Sequence, residues 1–416
     1  MHGMIAGFLR RFLSAPVRRF FEGFWAVPVL LSLLGLALAF ALNLASRGTF
    51  DVFAWPEWLS VDQTGARDTL SVIATAVMTV VSIVFSLTFV ALSLTAQQLS
   101  PRMLDFVVRE RIVQVLIGLG MATFLFSTTA LSFGAQSVPW RLAVAALIGL
   151  VLGVMTLITV VLFAHRMTKI MRPDEMVARR GDAFLAALRG SSMATPKGSA
   201  MTDLRPGGGL DLRTPFAGYV GAVAVQPMTA FARNHGQTLV VDCMEGEFLL
   251  ENAVLGRLIE PVDSLDPKRT AIDLARLLTI SDRREPTGGA LYEAQTLAEG
   301  AIRALSPGIN DPATAMACIY RLFQGLARLA DADVVPNTMA DEDGTARLIW
   351  RPVDLVVLVE RTALPIFDHA RDDPSMIWQL QSLTEALLAR CHRDRDRAAV
   401  QSYLSRLRSS PSRDAA

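Results

Sequence analysis

The hydrophobic pattern changes character near residue 166. Before it stand four long apolar runs, from about Trp25 to Ser46, Leu70 to Gln98, Ile112 to Phe133 and Arg141 to Ala164. Each reaches the ~20 residues that a helix needs to cross a hydrocarbon core about 30 Å thick. The pattern predicts an α-helical integral membrane protein, with residues 25–166 as a domain of four transmembrane helices and residues 1–24 as a segment ahead of it. The first run is too long for the apolar core of a cleavable signal, and no small-residue cleavage site follows it, so it is expected to stay as an anchor. The second run outreaches the bilayer core at 1.5 Å per residue. Pro101 then disfavours helix at Ser100, which places Gln97, Gln98 and Arg102 at a membrane surface.

That second run is the unusual one. Thr75, Thr79, Ser82, Ser86, Ser93 and Gln97 recur at spacings of three, four or seven residues, which puts them on one stripe of the helix. Hydroxyls and amides in hydrocarbon need partners, whether the backbone of their own helix, a neighbouring helix or water. Two readings follow: the lining of a pore or cavity, with Arg102 at its mouth biasing it towards anions, or hydrogen bonding between packed helices, which is the commoner use of Ser and Thr in membrane bundles. No Asp, Glu, Lys or Arg lies in the core of a run, which argues against a proton relay or voltage sensor. Ala37, Ala41 and Ala45 in the first run, and Gly149 with Gly153 in the fourth, are small residues at four-residue spacing and predict helix packing faces.

After the fourth run the pattern breaks into shorter elements. Residues 167–215 read as a helix leaving the membrane, Pro173 to Arg189, and then a linker rich in Gly and Pro. The Pro206-Gly-Gly-Gly stretch lacks the Lys and Ser/Thr of a phosphate loop. Residues 216–262 alternate like short strands and, with turns at Glu245-Gly246 and Glu251-Asn252, resemble the small barrel-sandwich module of lipoyl carriers. The modifiable Lys of a carrier is missing, so no prosthetic group is expected. Residues 263–408 carry three-and-four apolar spacing over Arg269–Ile280, Ala290–Leu305, Ala313–Leu329, Val353–His369 and Pro374–Arg390, a helical domain, with 409–416 as a tail. Between two of these helices lies Ser306-Pro307-Gly308-Ile309-Asn310-Asp311, a candidate loop site. A tight turn already accounts for its residue types, with Pro307-Gly308 ending one helix and Asp311 before Pro312 capping the next.

Charge adds orientation. Lys and Arg cluster before the first run, between the second and third, and after the fourth, with few on the other side, so both termini are expected in the cytoplasm. Overall, 40 Lys and Arg nearly cancel 39 Asp and Glu, which leaves no field to draw the chain onto nucleic acid. Cys243, Cys318 and Cys391 show no paired spacing for disulfides or metal. His235, His369 and His392 stand without a nucleophile elbow or metal-binding helix motif, so neither an enzyme nor a metal or other cofactor is expected.

Two longer stretches carry a resemblance. Val84-Phe-Ser-Leu-Thr-Phe-Val-Ala-Leu-Ser-Leu-Thr-Ala-Gln-Gln-Leu-Ser-Pro-Arg102 and Ala301-Ile-Arg-Ala-Leu-Ser-Pro-Gly-Ile-Asn-Asp-Pro-Ala-Thr-Ala315 resemble the two signatures of the predicted membrane protein family catalogued as domain of unknown function 2254. The resemblance covers nearly the whole chain. It implies a multi-pass protein of the bacterial cytoplasmic membrane, and it brings no assigned catalytic or binding residues. Function then divides between an oligomeric, channel-like or transport-related protein with a cytoplasmic regulatory domain and a membrane-anchored scaffold or sensor. The lipid bilayer is the one partner the sequence itself implies, with a homo-oligomer in the first reading and a protein or small ligand in the second.

Overall fold

A computed structural model describes residues 25–45, 63–98, 102, 110–133, 139–192, 209–221, 225–259, 266–282, 289–332, 337–340, 345–350 and 353–409. The expected segment 1–24, the stretch around Pro206, Pro101, most of the tail 409–416 and the side chain of Gln97 lie outside the described residues. Two compact units result: one runs to Gln97 and resumes over Leu104–Arg172, and the other joins Gln98–Met103 to Pro173–Ala416.

The first unit holds the helices α1 (Ala26–Ala45), α2 (Gln63–Gln98), α3 (Arg111–Ser132) and α4 (Pro139–Ile170). All four are long and apolar enough to cross a membrane. Their shared core sits at one end, where Ala39 of α1, Ala66 and Leu70 of α2, Phe126 and Ala130 of α3 and Leu142, Ala145 and Ala146 of α4 are buried together. Close approach depends on small residues. At Gly35 an added Cβ would stand 2.5 Å from the carbonyl oxygen of Ala122, so α1 and α3 meet backbone to backbone there. At Gly149 it would meet Leu70 Cδ2 at 2.8 Å, so the Gly149–Gly153 face packs on α2 as expected. The Ala37, Ala41 and Ala45 face of α1 is different: all three are exposed, and the buried side of that helix carries Pro28, Ser32, Gly35 and Ala39. Glycine admits a backbone where alanine does not, and it decides which side of α1 turns inward. A buried hydrogen bond of 3.1 Å between Thr123 Oγ1 of α3 and Thr156 Oγ1 of α4 supplies polar contact between helices.

In the second unit, α5 (Pro173–Ser192) packs among helices. Met176, Val177, Phe184, Leu185 and Leu188 are buried. Phe184 lies on Gly325, where an added Cβ would stand 2.0 Å from its ring. The strands follow: β1 (Leu210–Arg213), β2 (Gly218–Tyr219), β3 (Thr238–Val241), β4 (Phe248–Leu249) and β5 (Val254–Ile259), with α6 (Val225–Asn234) between β2 and β3 and α7 (Pro267–Leu277) after β5. Next come α8 (Ala290–Ala304) and α9 (Pro312–Asp331), then β6 (Asn337–Ala340) and β7 (Ala346–Trp350). Helices α10 (Leu355–Leu358) and α11 (Leu364–Ala370) are joined by a π-helical turn over Val359–Ala363, and α12 (Pro374–Arg390) and α13 (Asp394–Arg408) end the fold.

The expected barrel sandwich within 216–262 is not what these strands make. They form an open sheet of five, in the order β1-β5-β3-β7-β6, beside a two-stranded ribbon of β2 and β4. Long-range pairing decides the matter: β7 lies parallel to β3, with Leu239 opposite Leu348 and Val241 opposite Trp350. Met228 and Ala232 of α6 and Ala271, Leu274 and Ala275 of α7 bury Leu212, Leu239, Leu258 and Leu348 of the sheet. An added Cβ at Gly256 of β5 would stand 2.3 Å from the Val240 carbonyl oxygen, so only glycine fits beside β3 there. The π turn has a local cause in Pro365, which has no N–H to give and crowds the carbonyl one turn back.

Candidate functional site

Helix α2 has two unlike sides. Ala66, Leu70, Ala74, Val77 and Val81 are buried against the bundle. Thr75, Thr79, Ser82, Ser86 and Ser93 are all exposed, so the stripe faces away from the helices of its own chain. The hydroxyls of Thr75, Thr79 and Ser86 donate to the carbonyls of Ser71, Thr75 and Ser82 at 3.0, 2.8 and 2.9 Å. Each is satisfied by its own helix, one of the three partners expected, and retains its oxygen as an acceptor. Thr123 and Thr156 make one polar contact between helices among the described residues.

Arg102 lies beyond the end of α2 and belongs with the second unit. Its guanidinium is ion-paired with Glu299 of α8, so its charge is offset and an anion bias no longer follows from it. Its carbonyl accepts from Arg180 Nη2 of α5. Arg180 Nη1 in turn donates to both carboxylate oxygens of Glu293 of α8, at 3.2 and 3.4 Å, and this pair is buried. Glu293 belongs to no motif and no polar stripe of the sequence. A signal was present, because Glu293, Leu297 and Ala301 follow one another at four-residue spacing on the apolar face of α8, and a carboxylate in a core position implies a cation.

The loop site resolves into turn geometry. Ser306 Oγ donates to the Arg303 carbonyl at 2.6 Å, Asn310 is left-handed with φ 49°, and Asp311 caps α9 by accepting from the Thr314 N–H at 3.1 Å. The Thr314 side-chain hydroxyl, and after it this N–H, hold the Asp311 carboxyl below the usual carboxylate range, against burial, which acts to raise it. Pro307 and Gly308 are exposed, and a side chain at Gly308 would meet open space; nothing in the turn explains the glycine. His235 and His369 each donate from Nδ1 to a carbonyl four residues back, at 2.8 and 2.9 Å.

The three cysteines are free and buried. Burial pushes the thiols of Cys243 and Cys318 up to about 12 and raises that of Cys391. Since the thiolate is the reactive form, native protein near neutral pH should take up no maleimide, and unfolded protein three equivalents by intact mass. Uptake before unfolding would contradict the burial.

Four apolar helices followed by a mixed helical and β-stranded unit define a multi-pass membrane protein. The chain belongs to the family described as predicted membrane protein (DUF2254), whose profile matches residues 22–386. Its relatives include the uncharacterized protein MT1328 of Mycobacterium tuberculosis (strain CDC 1551 / Oshkosh), 24% identical over 356 residues, covering 82% of this chain and 67% of that one. The uncharacterized protein Mb1321c of Mycobacterium bovis is similar to the same extent. No solved structure matches the chain.

Proposed function

We propose that the chain acts as a channel-like or transport-related oligomer of the bacterial cytoplasmic membrane, without enzymatic chemistry or a cofactor, and with both termini and the second unit in the cytoplasm. One observation carries this reading: the polar stripe Thr75, Thr79, Ser82, Ser86 and Ser93 is exposed on the side of α2 opposite its packed face. A helix side that meets only lipid gains nothing from five polar residues, whereas α2 helices from several copies would enclose them. Hydroxyl oxygens whose hydrogens are turned back to their own helix would present acceptors to a narrow wet path, with no fixed charge and weak selectivity. The test is ion flux into liposomes. Wild type should conduct, and Ser86→Leu and Ser93→Leu should lose most of the flux while keeping the oligomer. Absence of wild-type flux under varied voltage, tension and salt, with the leucine variants merely losing oligomeric state, would sink the proposal.

Orientation is checked separately, using the silence of the native thiols. A cysteine placed at the exposed position Thr345 should react with an impermeant maleimide only after intact cells are opened. The second reading, a scaffold or sensor binding a protein or small ligand, draws support from the exposed aromatics Tyr320 of α9 and Trp378 of α12, two helices linked by the Tyr320 hydroxyl and Gln379.

A further inference from the structure

We propose that Arg102, Arg180, Glu293 and Glu299 form a latch that ties the exit of α2 to helices α5 and α8, so that displacement of α2 in the bilayer is transmitted to the second unit. The inference does not require α2 to line a path.

The latch has two levels of unlike strength. Arg180 and Glu293 form the buried level, and the guanidinium is used on two sides: Nη1 towards the Glu293 carboxylate and Nη2 towards the main-chain carbonyl of Arg102. A guanidinium's donors are fixed in one plane, so the carboxylate that orients Arg180 also aims its other arm at residue 102. If residue 102 left, a buried charged donor would lose its partner, which is the expensive way to break a hydrogen bond. The Arg102–Glu299 pair is the outer level. Both side chains are about a third exposed, at 34% and 38%, so salt screens this contact and it contributes little by itself. Seating is therefore held by the buried arm and trimmed by the outer pair.

Covalent geometry supplies the transmission. Gln98 closes α2, and Arg102 is four residues further on. A fully extended chain of that length spans at most about 14 Å. Tilt, rotation or piston motion of α2 beyond the slack must either unseat Arg102 or carry α5 and α8 with it. A helix longer than the bilayer is the kind that tilts as thickness changes.

Hydrogen exchange on the full-length protein in nanodiscs tests both parts. For the latch, Arg102→Glu and Glu299→Arg should each speed exchange in the peptide across residue 102, and the charge-swapped double variant should restore it. Arg180→Lys keeps the charge beside Glu293 but cannot reach both partners, and should speed that exchange roughly tenfold while the Phe184 core stays protected. Unchanged exchange across residue 102 in Arg180→Lys and Arg102→Glu, in protein of normal thermal stability, would overturn the latch. For transmission, wild type in thin and thick bilayers should differ in exchange over 173–192 and 290–304. Three glycines inserted between Gln98 and Arg102 should abolish that difference and leave the folded core intact. Equal exchange in both bilayers for wild type, or a difference that survives the insertion, would overturn the coupling. None of these readouts depends on ion flux.

Discussion

Phe184→Ala should destabilise the second unit by about 3–5 kcal/mol, the range for removing a fully buried aromatic ring. For a unit of this size that corresponds to a fall in Tm of roughly 6–20 °C, read by thermal unfolding of the purified protein. Phe184 is 0% exposed and lies in the middle of α5, and its ring rests directly on the backbone of Gly325 in α9. No Cβ opposite can move in to fill the space, so most of the ring's volume would remain as cavity. The same geometry gives the converse. Gly325→Leu alone should overpack the contact at a cost of about 1–3 kcal/mol, whereas Phe184→Ala combined with Gly325→Leu should be less damaging than the sum, because the leucine occupies the vacated volume. Strict additivity would show that the two residues do not share that space.

The Phe184–Gly325 contact also shows how far the sequence could be read. Local periodicity is enough to place α5, α8, α9 and α12 within a few residues, because each carries its own apolar face, and two also carry a capping Asp before Pro: Asp311 and Pro312 open α9, and Asp373 and Pro374 open α12. The spans were legible for a similar reason, a bilayer demanding long uncharged runs whatever the helices pack against. What stayed hidden were the relations between distant residues. Strand β7 reads as Ala-Arg-Leu-Ile-Trp between helical stretches and becomes a sheet strand only through parallel pairing with β3, so local pattern alone suggests a closed module of 216–262. Helix α13 carries a weak signal because its first turns, Asp394-Arg-Asp-Arg, are charged, its first buried residue is Asp396, and its apolar buried residues begin only at Val400, followed by Tyr403, Leu404 and Leu407. The candidate stripe was visible as a pattern, since spacing alone fixes which residues share a helix face. Which way that face turns is decided by the glycines and alanines of the other helices.

Glu293→Ala should cost about 3–5 kcal/mol, the penalty for removing one partner of a buried ion pair. The side chain of Arg180 is only 9% exposed, and without the carboxylate its positive charge would remain among the packed faces of α5 and α8 with little water to solvate it. Replacing both partners together separates this penalty from the net worth of the pair. Arg180→Met with Glu293→Leu removes both charges and keeps apolar volume, so it should recover most of the stability lost by Glu293→Ala alone, and could exceed wild type. Thermal unfolding of the three variants against wild type measures this. If the double variant is as unstable as Glu293→Ala, the pair stabilises the helices in its own right. If stability returns while exchange across residue 102 stays fast, the charged pair is kept for its second arm on the Arg102 carbonyl, and its place in the core reflects the seating of α2's exit more than the strength of the fold.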